Sequence, residues 1–187
     1  MIILGIDPGS RKTGFAVIEC EGNRRSVIDF GTIFLTEKKS MPEKLVRIFD
    51  EVGGLFRKFE IATVAVEAGY YGKNAQSAYK LGYARSAAVL AAAVERVEVV
   101  EYSPRKVKQA VTGNGNASKP QVMYMVKKLL SGAEGLSLRE DEADAFAVAI
   151  CHAQNSGGAK GGYRNWKEFV AKNSHMVVKR GSLRRVK

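Results

Sequence analysis

Cysteine is scarce in this 187-residue chain: there are only two, Cys20 and Cys151, far apart and outside any C-x-x-C or Cys/His spacing. That shortage excludes a disulfide scaffold and a zinc ribbon, and predicts two reduced, partly buried thiols in a cytoplasmic protein. Histidine is equally sparse. His152 and His175 have no ligand-spaced partners, so neither is assigned to a metal site. No apolar run approaches the roughly 20 residues that span a bilayer. The apolar N-terminus lacks a basic lead and meets Asp7 within seven residues, so it is not expected to be a secretory signal. Acids are outnumbered, 19 against 30 Lys and Arg, for a net charge of +11.

The distribution of that charge says more than its sum. Residues 156–187 hold nine Lys and Arg against one acid, Glu168, a net +8. Residues 1–155 hold the other 21 bases and 18 acids, a net +3. A near-balanced body with a basic extension predicts a polyanionic partner, most simply nucleic acid. A solvated, solubilising extension explains the charge equally well. With 45% apolar and 9% aromatic residues, the first 155 residues suit one globular domain. The Gly-, Lys- and Arg-rich remainder is expected to be a flexible tail.

Along the chain, residues 2–7, 14–20 ("GFAVIEC") and 26–35 ("SVIDFGTIFL") read as three strands. Short turn-rich stretches, "DPGSRKTG" and "EGNRR", join them into an antiparallel meander. Ser40 with Glu43 forms a capping box that opens a helix, and apolar residues from Leu45 to Phe59 follow at helical spacing. "IATVAVE" (61–67) is a fourth strand, ending on Glu67 as the first ends on Asp7. An Ala-rich helix over about 74–95 and a fifth strand, 97–102, come next. Ser103-Pro104 starts a short helix stopped at "TGNG", and Ser118 with Gln121 caps another. A last helix runs from near Asp141 to Asn155. The order implies an α/β fold, a five-stranded mixed sheet flanked by helices, with strands one, four and five parallel. If strands one and four are neighbours, Asp7 and Glu67 stand side by side at their carboxyl ends, where open α/β sheets place their sites.

Asp141 and Asp144, spaced i, i+3, share one face of the last helix near its positive end. Together with Asp7 and Glu67 they make a candidate cluster of four carboxylates, self-repelling unless a cation fills it. An all-oxygen set suits Mg²⁺ or Mn²⁺. Two such ions about 3.5–4 Å apart can clamp the attacking and leaving oxygens of a phosphodiester. Each acid also has a plain reading: Asp7 as a turn residue before Pro-Gly, Glu67 as an exposed strand end, and Asp141 and Asp144 as complements to the helix dipole. Glu140 and Glu142 share that last explanation and are expected to face solvent. Arg105, Lys106, Lys108 and Lys119 read either as solvated helical faces or as contacts to phosphate. Of the adjacent Tyr70 and Tyr71, at least one should be exposed, since neighbouring residues point to opposite sides.

Four segments carry a specific resemblance: "ILGIDPGSRKTGFAVIE", "VAVEAGYYGKNAQSAYKLGYARSAA", "EYSPRKVKQAVTGNGNASKPQV" and "DEADAFAVAICH". In order, over about residues 2–153, they resemble the RuvC family of bacterial Holliday-junction resolvases, the crossover junction endodeoxyribonucleases. The resemblance implies a ribonuclease-H-like nuclease domain over 1–155 and metal-binding catalytic acids at Asp7, Glu67, Asp141 and Asp144. It implies that Lys108 and Lys119 act at the scissile phosphate and that Tyr70, with Tyr71 as the alternative, stacks on bases at the crossover. Lys73, Arg105 and Lys106 are candidate DNA contacts. The implied reaction is metal-dependent hydrolysis leaving 5′-phosphate and 3′-hydroxyl ends, with two Mg²⁺ per site and Mn²⁺ able to substitute. The implied partners are four-way junction DNA, a second copy of the chain and a branch-migration motor. Locally the chain departs from the family: Ala68-Gly69 follows Glu67 where a glutamine is typical, and the second strand reads Gly14-Phe15-Ala16.

Two other classes share features with this chain. Enzymes of the actin and sugar-kinase type also open with a strand, an Asp, a Gly and a returning strand, but they need two such units around a nucleotide. A non-catalytic DNA-binding module could keep the fold, though here all four acids are present.

Overall fold

Strands β1 (Ile2–Asp7), β2 (Lys12–Glu21) and β3 (Arg24–Phe34) form the antiparallel meander that their apolar alternation predicts. The computed structural model describes residues 1–69 and 75–156. The chain divides into Met1–Gln154 and Asn155–Lys187, and the fold below is that of the first unit. The β2–β3 hairpin is longer than its sequence suggests. Gly22, at φ +58°, closes a two-residue turn with Asn23, so the "EGNRR" residues pair (Glu21 with Arg24, Cys20 with Arg25) instead of looping.

Helix α1 (Met41–Lys58) begins at the Ser40–Glu43 capping box, and β4 (Ile61–Glu67) returns to the sheet. After α2 (Ala75–Val94) and β5 (Glu98–Tyr102) come α3 (Pro104–Thr112), α4 (Lys119–Leu129) and α5 (Glu140–Ser156). Gly113, left-handed at φ 75°, stops α3, and the Ser118–Gln121 box opens α4. Among the described residues no helix is long and apolar enough to cross a membrane.

The sheet order is β3-β2-β1-β4-β5, with β1 parallel to β4 and β4 parallel to β5. Alternation along each strand sorts the core into two layers. Leu4, Ile6, Val17, Val64 and Val66 face α1 and α2. Ile3, Ala16, Ile18 and Ala65 face α3, α4 and α5. Asp7 and Glu67 follow the second alternation and therefore lie on the α5 side. From Glu142 to Ala153 every residue of α5 is buried except the half-buried Asp144.

Two glycines let this helix approach the sheet. A Cβ on Gly5 would overlap the Ala145 carbonyl and crowd the Ala149 side chain, and one on Gly14 would overlap the Asp141 carbonyl. Gly14 is paired with Asp7 across the β1–β2 ladder, so the start of α5 rests on the residue beside the strand-ending acid. A single methyl there should force the helix outward. Gly14→Ala is expected to cost about 1–3 kcal/mol, the usual scale for overpacking. A denaturant midpoint equal to that of the parent would show that α5 has room to spare.

Candidate active site

The acid cluster is assembled by three elements. Asp7 ends β1 and Glu67 ends β4, each one residue beyond the Ile6–Val66 pair of the parallel ladder. Asp141 and Asp144 come from the first turns of α5. Burial is the main reason Asp7 titrates at about 8 instead of 3.8, and the charges of Glu67, Asp144 and Asp141 raise it further, in that order. Glu67 is lifted to about 7 by burial and then by Asp144, against the opposing pull of Lys108 and Lys119. Asp144 is raised mainly by burial, with Lys119 opposing. The other three expected acids thus all act on Asp7.

Lysines supply part of the missing positive charge. Lys119 Nζ lies 3.3 Å from Asp144 Oδ2 and 3.1 Å from Glu140 Oε2. Burial opposes its charge, but those hydrogen bonds prevail and hold it firmly protonated. Lys108, half-buried on α3, stands near enough to Glu67 to lower its pKa. On the opposite flank Lys12 Nζ is 3.9 Å from Asp141 Oδ2. Among the described residues no three carboxylate, histidine or cysteine side chains are gathered closely enough to hold an ion as they are placed. Two of the acids are turned instead toward these lysines.

The other expected contacts fall elsewhere. Arg105 and Lys106 are exposed on α3. Arg105 lies along Gly115, and the Lys106 ammonium sits 4.9 Å above the Tyr102 ring. Tyr70, Tyr71 and Lys73 lie outside the described residues. His152 is a buried core residue whose Nδ1 is 2.9 Å from the Tyr102 hydroxyl.

One expectation is overturned. Glu142 does not face solvent but is only 6% exposed. Its Oε2 accepts the Arg139 backbone N–H at 2.8 Å, capping α5, and its Oε1 accepts the Thr32 hydroxyl at 3.0 Å. Helix spacing places Glu142 with Ala145, Phe146 and Ala149, about 200° round from Glu140, and the strand register sets β3 against that face through Thr32. Lys12, absent from the sequence-based candidates, is placed by the same register: Gly9 packs tightly on the Lys12 carbonyl, which folds the Asp7 loop back and returns Lys12 to the site.

Comparison with known proteins shows the family. The family description "Crossover junction endodeoxyribonuclease RuvC" matches residues 3–152. A protein of that name from Citrifermentans bemidjiense is 50% identical over 157 residues, 84% of this chain and 94% of its own length. The Thermus thermophilus RuvC structure in complex with Holliday junction substrate is 32% identical, with a TM-score of 0.77, covering 84% of this chain and 95% of its own. The yeast mitochondrial Holliday junction resolvase Ydc2, at 15% identity and a TM-score of 0.58, shares the fold. With its five-stranded ribonuclease-H-like sheet and a match that spans the whole acid cluster, this chain belongs to the RuvC family of crossover junction endodeoxyribonucleases.

Proposed function

We propose that this protein resolves four-way DNA junctions by paired symmetric nicks, hydrolysing phosphodiester bonds with divalent metal ions. The observation that carries the reading is the partly compensated acid cluster, in which burial and mutual repulsion raise Asp7 to about 8 and Glu67 to about 7. Buried carboxylates that raise one another in this way fit a hard cation, which relieves desolvation and repulsion together. Asp7, Glu67, Asp141 and Asp144 would hold two Mg²⁺, or Mn²⁺ in their place. Bound there, the metal supplies Lewis-acid stabilisation of the attacking and leaving oxygens.

The chain's own contribution is positioning and charge. Lys119 and Lys108 stand beside the acids, where an ammonium group offsets the extra negative charge that a phosphate gains in the transition state. Tyr70 or Tyr71, just beyond Glu67, is the proposed stacking surface for an unpaired base at the crossover. Lys73, Arg105, Lys106 and the basic segment 156–187 are proposed contacts to the flanking backbone. The enzyme is expected to work in the cytoplasm, alongside a branch-migration motor.

Two symmetric cuts require two sites related by a twofold axis, hence a homodimer. Helix α2 offers a surface for it. Ala84, Ala87, Ala88, Ala91 and Ala92 are buried in the core, while Tyr79, Tyr83, Leu90 and Val94 form an exposed apolar stripe, Tyr79 being 70% exposed. Such a stripe on a surface helix marks an interaction face.

The direct test incubates the protein with a synthetic four-way junction and Mg²⁺, beside a linear duplex. Paired nicks at symmetric positions are expected on the junction alone, and binding without cutting in both Mg²⁺ and Mn²⁺ would reduce the protein to a binding module. Asp7→Asn should slow cutting by about 10²–10³-fold or more, the scale of losing one transition-state electrostatic group, with junction affinity nearly unchanged. An equal loss of binding would make Asp7 structural. Leu90→Lys with Tyr83→Lys should convert a dimer to a monomer in sedimentation and abolish symmetric cutting; a dimer that survives both charges would place the interface elsewhere.

The raised pKa values also set a pH dependence for the metal-free protein. Asp7 and Glu67 bind protons more tightly folded than unfolded, so the folded state carries extra protons between about pH 4 and 8. Stability must therefore fall as pH rises through that window. Asp7→Asn should flatten the decline and raise the metal-free melting temperature at pH 8, by about 2–4 °C for each kcal/mol of relief. A decline as steep as the parent's would mean that Asp7 is already ionised.

A further inference from the structure

Lys108 and Lys119, on α3 and α4, act on Glu67 and Asp144. Toward β2 and β3, three residues not among the expected contacts stand together. Lys12 and Phe34 are directly opposed in the β2–β3 ladder. The Lys12 ammonium lies 5.9 Å from the centre of the Phe34 ring, and the Arg139 guanidinium carbon, one residue before α5, lies 4.9 Å from it. Phe34 is 42% exposed, and both cationic residues are exposed.

Each part of this group is held from beneath. Arg139 is fixed by its backbone N–H bond to Glu142, which in turn accepts the Thr32 hydroxyl two residues before Phe34. Lys12 follows the loop closed by the Gly9–Thr13 hydrogen bonds. Among the described residues no carboxylate stands in ion-pair contact with the Arg139 side chain, and Lys12 meets Asp141 only at 3.9 Å. Most of the two positive charges therefore faces outward. An aromatic ring that steadies two cations in this way keeps them fixed without neutralising them.

We infer that Lys12, Phe34 and Arg139 form a second DNA contact that binds backbone phosphates of the duplex leaving the active site on the β2–β3 side, with Phe34 as the shelf holding both cations. The inference rests on the nuclease reading of the acid cluster. Its chemistry is that of a phosphodiester backbone: two fixed cations beside the reacting acids, continuous through Lys12 with Asp141. DNA lying across Asp7 and Glu67 extends to both sides, and this group completes a basic strip whose other half is Lys108 and Lys119.

The test uses the full-length chain carrying Asp7→Asn, so that junction binding is read in Mg²⁺ without cutting. Affinity for a four-way junction is measured over a series of salt concentrations. Adding Lys12→Ala and Arg139→Ala should lower the log–log salt slope by about 1.8, at about 0.9 for each lost phosphate contact. Phe34→Ala should leave the slope in place and weaken binding several-fold, because the charges remain but lose their shelf. Phe34→p-benzoylphenylalanine should crosslink to the DNA strand on illumination. An unchanged slope in the charge-deleted variant, or no crosslink from position 34, overturns the contact. Wild-type protein assayed for junction cutting alongside reports separately on the nuclease reading, since failure to cut leaves the salt slopes interpretable.

Discussion

Gly5 and Gly14 forgo two side chains so that the first turns of α5 can lie directly on β1 and β2, and the position of every acid depends on that contact. β1 and β4 by themselves would present Asp7 and Glu67 to solvent at the sheet's edge. The helix, resting on Gly14 opposite Asp7, roofs them and brings Asp141 and Asp144 near enough to act on Asp7. Small residues beneath, Ala16 and Ala65 among them, extend the flat seat along the sheet. Close packing leaves little freedom for the helix to drift, because a dense interior resists even a one-methylene change. The geometry of the site is thus set by backbone contact, which is stiffer than any side-chain tether.

Roofing the acids has an electrostatic consequence. Desolvation is the largest influence on Asp7, Glu67 and Asp144 alike, ahead of their mutual repulsion. The protein offsets this only in part, with Lys119 on Asp144, Lys108 near Glu67 and Lys12 near Asp141. Such a site is destabilising in isolation, and its persistence in an otherwise well-packed fold is the usual mark of function. The buried Glu142 makes the contrast plain. It sits in the same helical turn, yet its two oxygens are satisfied by Arg139 and Thr32, and its role is to hold the roof in place.

The sequence shows much of this because strand ends, caps and spacing are local. "ILGID" and "IATVAVE" mark both strand-terminal acids, the serine boxes at Ser40 and Ser118 mark two helix starts, and D-x-x-D marks the pair on α5. What stays hidden depends on which residues meet across the fold. Glu142 and Glu140 lie on opposite faces of the helical wheel, but only the fold shows that Thr32 on β3 satisfies Glu142. Lys12 and Phe34 become neighbours only through a ladder whose turn is two residues long, and Arg139 joins them only because α5 starts above that ladder. Non-local register of this kind has no signature in a single strand's alternation.

The layering also bears on how two copies can serve one junction. The acids open on the side of the sheet that carries α3, α4 and α5, whereas α2 belongs to the opposite layer with α1. An interface along the exposed stripe of α2 therefore leaves the acid-bearing layer uncovered in both copies. Helix α2 also starts only eight residues after Glu67, so its beginning stays within a short stretch of chain of the site. Pairing through α2 would then fix the separation of the two acid clusters by one helix–helix contact and the packing of α2 on β5 in each copy. That is the arrangement paired symmetric cutting needs, because the spacing between nicks is set by the rigid path between sites and not by a flexible linker.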